Sequence, residues 1–380
     1  MFPLSCLIMS LYSLTVSADQ METQLNPGCL SCRPDDQLVY AKSSISNDAY
    51  HFIWSSLSQD DPTLLLVHSS SNRDVSIDWN RLLVGASDSL NFTDVVNDIG
   101  LVVKDVLFWN DTQKAGNFNH SDPQVVKDLK VLQKSNVTIR QKDASTAEAI
   151  FIFTGSETSN LTVTIALLAS TSRSRFDELP RLLMSPTSFH VQVTVTGDPL
   201  LNFTNCRLLM EMDLLHRKGD VRVVTETTID DEYSPGVFSV STAQVGAIPE
   251  SFVQWKPVGY NKADRIIAHT VDTQVSVSKS NSTSSSKVVR GYSSEADFET
   301  SSLRFAFGAA KDSFYTEYHY TGFSFVIGLG TPEKDGLSFL VQLIIWIGFG
   351  IPALALITGA VYLTVKRVRG HVSHHSLLQD

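Results

Sequence analysis

The feature that most constrains this chain is an uncharged apolar run close to its C-terminus. Residues 337–365 contain no Asp, Glu, Lys or Arg, and Lys366, Arg367 and Arg369 follow at once. A run of that length satisfies its backbone inside lipid only as a helix. At ~1.5 Å per residue the stricter core Phe339–Tyr362 is roughly 36 Å long, against ~30 Å of bilayer hydrocarbon. Basic residues are retained on the cytosolic side, so their position at one end predicts the orientation. Residues 19–336 are expected in a lumen or outside the cell, and residues 366–380 in the cytosol. The chain reads as a single-pass type I membrane protein with nearly all of its mass in a luminal ectodomain.

Within the apolar run, Gly348, Gly350, Ala355 and Gly359 are small, and Pro352 lacks a backbone donor. Ala355-x-x-x-Gly359 is a small-xxx-small pair that lets a neighbouring helix approach, while Pro352 predicts a bend. Gly348, Pro352, Ala355 and Gly359 are therefore candidate helix-packing positions. The blander reading is that glycine is simply common in membrane helices.

The N-terminus agrees with export. Residues 2–16 are largely apolar, and Val16-Ser17-Ala18 supplies the small residues that precede a signal-peptidase cut, although the usual Lys or Arg of the first segment is missing. Residues 1–18 are expected to be a signal peptide. A third signal is the count of Asn-x-Ser/Thr sequons, at Asn91, Asn110, Asn119, Asn136, Asn160, Asn202 and Asn281. All seven precede the apolar run and none follows it, which predicts a heavily N-glycosylated ectodomain with these asparagines exposed.

Cysteine usage is thin. Once Cys6 leaves with the signal, Cys29, Cys32 and Cys206 remain in an oxidising compartment. Three is odd, so one thiol is unpaired or joins another chain. Cys29-x-x-Cys32 has the spacing of a zinc half-site or a redox pair, but no second Cys/His pair stands at metal spacing. A small local disulfide, or a bond from either residue to Cys206, are the structural alternatives. The formal net charge of −10 argues against nucleic acid or an anionic surface as a partner.

The luminal segment reads as β. Residues 191–196 alternate strictly and stop at the turn pair Gly197-Asp198, and residues 271–279 alternate again. Residues 63–67, 149–153, 161–165, 221–225, 303–307 and 323–327 are short β-branched or aromatic runs bounded by turn residues. Residues 175–183 are the best short helix candidate, interrupted by Pro180. Many closely spaced strands without amphipathic helices between them predict an all-β ectodomain of antiparallel sandwich type. A change of texture near residues 172–188 marks a candidate boundary between two packed subdomains.

Catalytic signatures are nearly absent. There is no Gly-x-Ser-x-Gly elbow, no His-Glu-x-x-His, no Walker loop and no dinucleotide fingerprint, so no cofactor is expected. Asp230-Asp231-Glu232 is the densest carboxylate cluster, but neighbours on a strand point to opposite faces, and a solvated turn before Pro235-Gly236 is the simpler reading. His319, between Tyr318 and Tyr320, is either an acid sensor or a packed base residue. Trp54, Trp79, Trp109 and Trp255 are either core anchors or a platform on which sugars stack.

Four segments, 51–57, 75–83, 229–238 and 251–260, resemble the glycosylated lysosomal membrane protein family. So does the stretch from His319-Tyr320 through Asp335-Gly336-Leu337-Ser338 into the apolar run. The match covers the chain in order from about residue 50 to the transmembrane segment. The resemblance implies a type I protein of the lysosomal membrane, many N-glycans and no enzyme activity. It also implies an accessory subunit that binds a lysosomal major-facilitator-superfamily transporter of dipeptides and protects it from luminal proteolysis. The tail departs from the family pattern, since residues 366–380 contain no tyrosine for a sorting signal; Ser376-Leu377-Leu378 resembles a dileucine signal instead. The reading from another class is a membrane-tethered hydrolase or glycan-binding protein, which would need the acidic or aromatic positions.

Overall fold

The computed structural model describes residues 21–116, 118, 126–133, 135–155, 160–217, 219–228, 233–246, 250–280, 286–292, 298–312, 314–334 and 339–375. The expected signal peptide, Asn119, the cluster Asp230–Glu232, Asn281 and the dileucine-like residues lie outside them. The described residues up to Glu333 belong to one compact unit, and residues from Lys334 onward form a second.

The first unit is an antiparallel β-sandwich. Its first sheet runs in the order Met21–Leu25, Gln37–Ile45, Asp48–Ser56, Thr63–Ser69, Val95–Asn110, Cys206–His216, Glu299–Phe307 and Thr270–Ser280. The second runs Ser135–Asp143, Thr146–Thr154, Thr162–Ser170, Ser188–Thr196, Tyr320–Leu329, Ser251–Trp255, Ser239–Val245 and Val221–Thr227. Thr270–Ser280 joins them, because Thr270, Val271 and Asp272 pair with Val258–Tyr260, whose Tyr260 opposes Gly322 of the second sheet. The hydrogen-bonded surface is nearly closed on that side.

The inner faces of both sheets make one core. Val39, Phe52, Trp54, Leu64, Leu66, Ile99 and Leu101 from the first sheet meet Phe151, Val163, Ile165, Val191, Phe323 and Phe325 from the second. Phe52 stands edge-on to Phe189 at 5.9 Å, and Trp255 edge-on to Phe305 at 5.8 Å, both across the sheets. Such edge-to-face pairs add to the area they bury.

The outer faces are covered too. Over the first sheet, a short helix Trp79–Leu83 and a second, Lys287–Tyr292, set Trp79, Leu82 and Val288 on Leu38, Tyr40, Ile53 and Leu65. Asp78 caps the first of these by accepting from the Arg81 amide. Over the second sheet, Phe176, Leu182 and Met184 cover Ala166, Leu168, Phe252 and Val326. Central strands are therefore buried on both sides, which explains runs such as Leu64–Val67 that do not alternate.

One expectation changes here. Residues 175–183 are not helical: Ser174–Arg175 and Leu183–Met184 form a two-residue ladder, with an irregular loop between them lying on the sheet. Their apolar residues mimic helical spacing because they cover a flat surface. The stretch 172–188 connects Thr162–Ser170 to Ser188–Thr196, two hydrogen-bonded neighbours of one sheet.

The second unit is an apolar helix. Phe339–Ile345 leads into a wider π-helical turn at Trp346–Gly350, then into Ile351–His375. Pro352 cannot donate to the carbonyl of Gly348, and the ladder widens where that bond is missing. Residues Leu340–Arg367 form a span of 28 residues, long and apolar enough to cross a bilayer.

Candidate functional site

Register places the sequons relative to one another. Asn110 ends its strand opposite Cys206, whose amide donates to Thr316 Oγ1 at 2.8 Å. Asn136 opposes Ile152, which opposes Thr164, then Thr194, then Gly322, so it stands at the level where the last strand begins. The Asn160 amide donates to Asp198 O at 3.1 Å, while the neighbouring Gly197 donates to His319 O at 3.0 Å. Asn202 lies in the connection from Thr196 to Cys206. These four acceptors gather at the end of the sandwich where Tyr320–Leu329 starts. That strand leaves by the opposite end, where Leu329 opposes Ser251 and Asn97 reaches Glu250 O at 2.7 Å.

Asn136, Asn160 and Asn202 are exposed, as is Asn91, which lies apart in the short ladder Leu90–Asn91 with Ser76–Ile77. Asn110 is half-buried, and its Oδ1 accepts from the Asn205 amide at 3.3 Å.

A buried ionic network fixes the same end. Arg207, 1 % exposed, donates from Nε to Asp111 Oδ2 at 2.7 Å and from a terminal nitrogen to Asp312 Oδ1 at 2.6 Å. Its other terminal nitrogen donates to Ala309 O at 2.9 Å. Asp111 also accepts from the amides of Ala115 and Gly116. Burial pushes its carboxyl up, but the Gly116 and Ala115 amides and the Arg207 guanidinium outweigh this and hold it below the usual range. Gly308, at φ 102°, leaves the space a Cβ would take from the guanidinium. The chain gave one hint of this pair: Arg207 stands beside the apolar run Leu208–Met210, where an arginine needs partners.

The residues singled out for chemistry do not converge. Trp54, Trp79, Trp109 and Trp255 are 0, 7, 0 and 2 % exposed, so they anchor packing and offer no platform to sugars. Trp255 packs on Phe305 in the inner core, whereas Val258 and Tyr260 belong to a separate cluster with Val237. His319 is half-buried at φ 48° with its ring 6.0 Å from Tyr315. Among the described residues, no group of three or more His, Cys, Asp or Glu is arranged to hold a metal. A cleft of about 210 Å³ opens at His216, Asp220, Lys279, Glu299 and Ser301. There the ring of His216 is already engaged, Nδ1 with Arg217 O at 2.8 Å and Nε2 with Ser301 Oγ at 3.0 Å. Burial lowers its pKa, against a smaller raising effect of the Arg217 carbonyl.

Cys29 and Cys32 are joined in a local disulfide with Cα atoms 5.9 Å apart, packed against the layer around Trp79. Cys206 is a free, buried thiol that burial pushes up to about 12. In the apolar helix, Pro352, Ala355 and Gly359 follow the wide turn at spacings of three and four, so they share one face. Gly348 lies inside that turn, which alters its register to them.

Comparison with known proteins places these features in a lineage. Residues 37–370 match the family described as glycosylated lysosomal membrane protein. A Danio rerio glycosylated lysosomal membrane protein is 30% identical over 373 residues, covering 92% of this chain and 89% of the relative. Glycosylated lysosomal membrane protein B of Xenopus laevis is 25% identical over 376 residues, with 92% and 90% covered. The Homo sapiens protein is 27% identical over 366 residues, with 90% and 87% covered. With an antiparallel sandwich, a bilayer-length helix and this match over most of its length, the chain belongs to the glycosylated lysosomal membrane protein family.

Proposed function

We propose that this protein is a non-enzymatic accessory subunit of the lysosomal membrane. Its ectodomain faces the lumen, its helix crosses once with the C-terminus in the cytosol, and it binds a major-facilitator-superfamily transporter of dipeptides. Its work is protective: it keeps luminal proteases from the transporter. The observation that carries this reading is the gathering of Asn110, Asn136, Asn160 and Asn202 at one end of the sandwich. An N-glycan is bulky and hydrated. Several at one end form a steric screen over that end. The candidate packing positions Gly348, Pro352, Ala355 and Gly359 supply a contact for a transporter helix.

The test removes the screen and keeps the fold. Asn110, Asn136, Asn160 and Asn202 are changed to Gln while Asn91 is retained, and the transporter's half-life in lysosomes is followed with and without protease inhibitors. The expected result is unchanged co-purification with a shortened half-life that inhibitors restore. An unchanged half-life would remove the protective role. Loss of co-purification on exchanging residues 337–365 for an unrelated helix would place the contact in the membrane.

A further inference from the structure

The second sheet has two edges of different character. Ser135–Asp143 carries a sequon at Asn136, whose exposed side chain would place a sugar beside any strand that tried to add there. Val221–Thr227, at the other edge, carries none. Among the described residues it pairs with Ser239–Val245 on one side and with no strand on the other, and its seven-residue ladder has no bulge. It contains no Pro and no Gly, five of its seven residues are Val or Thr, and Val223 is 41% exposed. Edges of this kind are templates for strand addition unless something blocks them. In the first sheet, the part of Thr270–Ser280 beyond Asp272 pairs with Glu299–Phe307 alone among the described residues, and it runs straight into the sequon at Asn281.

The charges on Val221–Thr227 match a reversed copy of itself. Arg222 and Glu226 are four apart and share with Val224 the face opposite the one on which Val221 meets the core. Antiparallel pairing centred on Val224 sets Arg222 opposite Glu226 twice, Val223 opposite Thr225 twice and Val221 opposite Thr227 twice. Opposed residues share a face only when their numbers have the same parity, and this register satisfies that throughout. On Thr270–Ser280, by contrast, pairing Asp272 with Lys279 would oppose residues from different faces. We propose that the protein forms a symmetric dimer in which Val221–Thr227 pairs antiparallel with the same strand of a second copy, extending the second sheet across a two-fold axis. The axis stands perpendicular to the strands of the joined sheet.

Full-length protein carrying two different tags, solubilised in mild detergent, tests this. Arg222→Glu sets two carboxylates opposite each other at both positions, and Glu226→Arg sets two guanidiniums. Each variant alone should self-associate roughly tenfold more weakly than the native chain. Mixed together, Arg222→Glu and Glu226→Arg restore both opposed pairs and should co-purify as well as native copies. Val224→Cys should give a covalent dimer under mild oxidation, and Gln274→Cys, on the other open edge, should not. The proposal is overturned if the charge variants associate equally in all combinations, if Gln274→Cys crosslinks in place of Val224→Cys, or if Val224→Cys is captured by a different protein.

Discussion

Arg207 and Asp111 lie 96 residues apart in sequence, yet Nε of one donates to Oδ2 of the other at 2.7 Å with both side chains shut from solvent. The pair ties Val95–Asn110 to Cys206–His216 at the end where four sequons gather. Removing Asp111 leaves Arg207 with Asp312 as its one carboxylate partner and strips the amides of Ala115 and Gly116 of their acceptor; breaking a buried pair typically costs up to about 3–5 kcal/mol. Asp111→Ala should therefore lower the unfolding midpoint sharply, while the double change Asp111→Leu with Arg207→Met should recover much of the loss. Thermal unfolding of the purified variants checks this, and a double variant as unstable as the single one would show that the charge is not the cause.

Trp255 sits edge-on to Phe305 between the sheets and is 2% exposed. Trp255→Ala should cost about 3–5 kcal/mol. A loss of that size is expected to hold the protein in the early secretory pathway, with glycans still sensitive to endoglycosidase H. Normal maturation of the variant would count against the core role.

His190 is stacked on Phe176 at 5.0 Å and fully buried, and that burial, with a smaller contribution from Arg265, lowers its pKa to about 3. The unfolded chain takes up a proton near pH 6.5 that the folded chain refuses until about 3, so this residue makes stability fall as pH falls through that window. From 6.5 to 5 the loss is about 2 kcal/mol, at 1.36 kcal/mol for each pH unit. His190→Phe should flatten the decline in unfolding midpoint between pH 7 and pH 5. An equally steep decline would assign the acid sensitivity elsewhere.

Asp60 works in the opposite sense. Burial raises its carboxyl to about 6, although the Lys287 amide donates to it. The folded chain then holds a proton that the unfolded one releases at 3.8, so this contribution is present in acid and lost as pH rises through about 6. Asp60→Asn should stabilise the protein at pH 7.5 and change little at pH 4. The paired midpoints at those two values are the measurement, and a gain only at pH 4 would contradict the argument.

The strands were legible because alternation and β-branched runs report burial one face at a time. Residues 191–196, 271–279 and 323–327 all lie in strands. Residues 175–183 misled because a loop lying on a sheet buries its apolar residues at irregular spacing that resembles a helix. Short helices such as Trp79–Leu83 escaped notice, being too short to show a period. The sequon tally came from the chain alone, but the gathering of Asn110, Asn136, Asn160 and Asn202 did not. It depends on the register of several ladders, which no local pattern encodes. The pairing of Cys29 with Cys32 likewise required the Cα separation of 5.9 Å to decide it against partners further off.

Tyr320–Leu329 occupies an interior place in the second sheet, bonded to Ser188–Thr196 on one side and Ser251–Trp255 on the other. Among the described residues it is also the last strand to be synthesised, ahead of the apolar helix at Phe339. The second sheet has a gap at that place until the ribosome has passed Leu329, so the first unit completes its fold only as the apolar helix is being made. Folding of the first unit and synthesis of the apolar helix are thereby tied in time, and a chain released before that strand would be left with an open sheet.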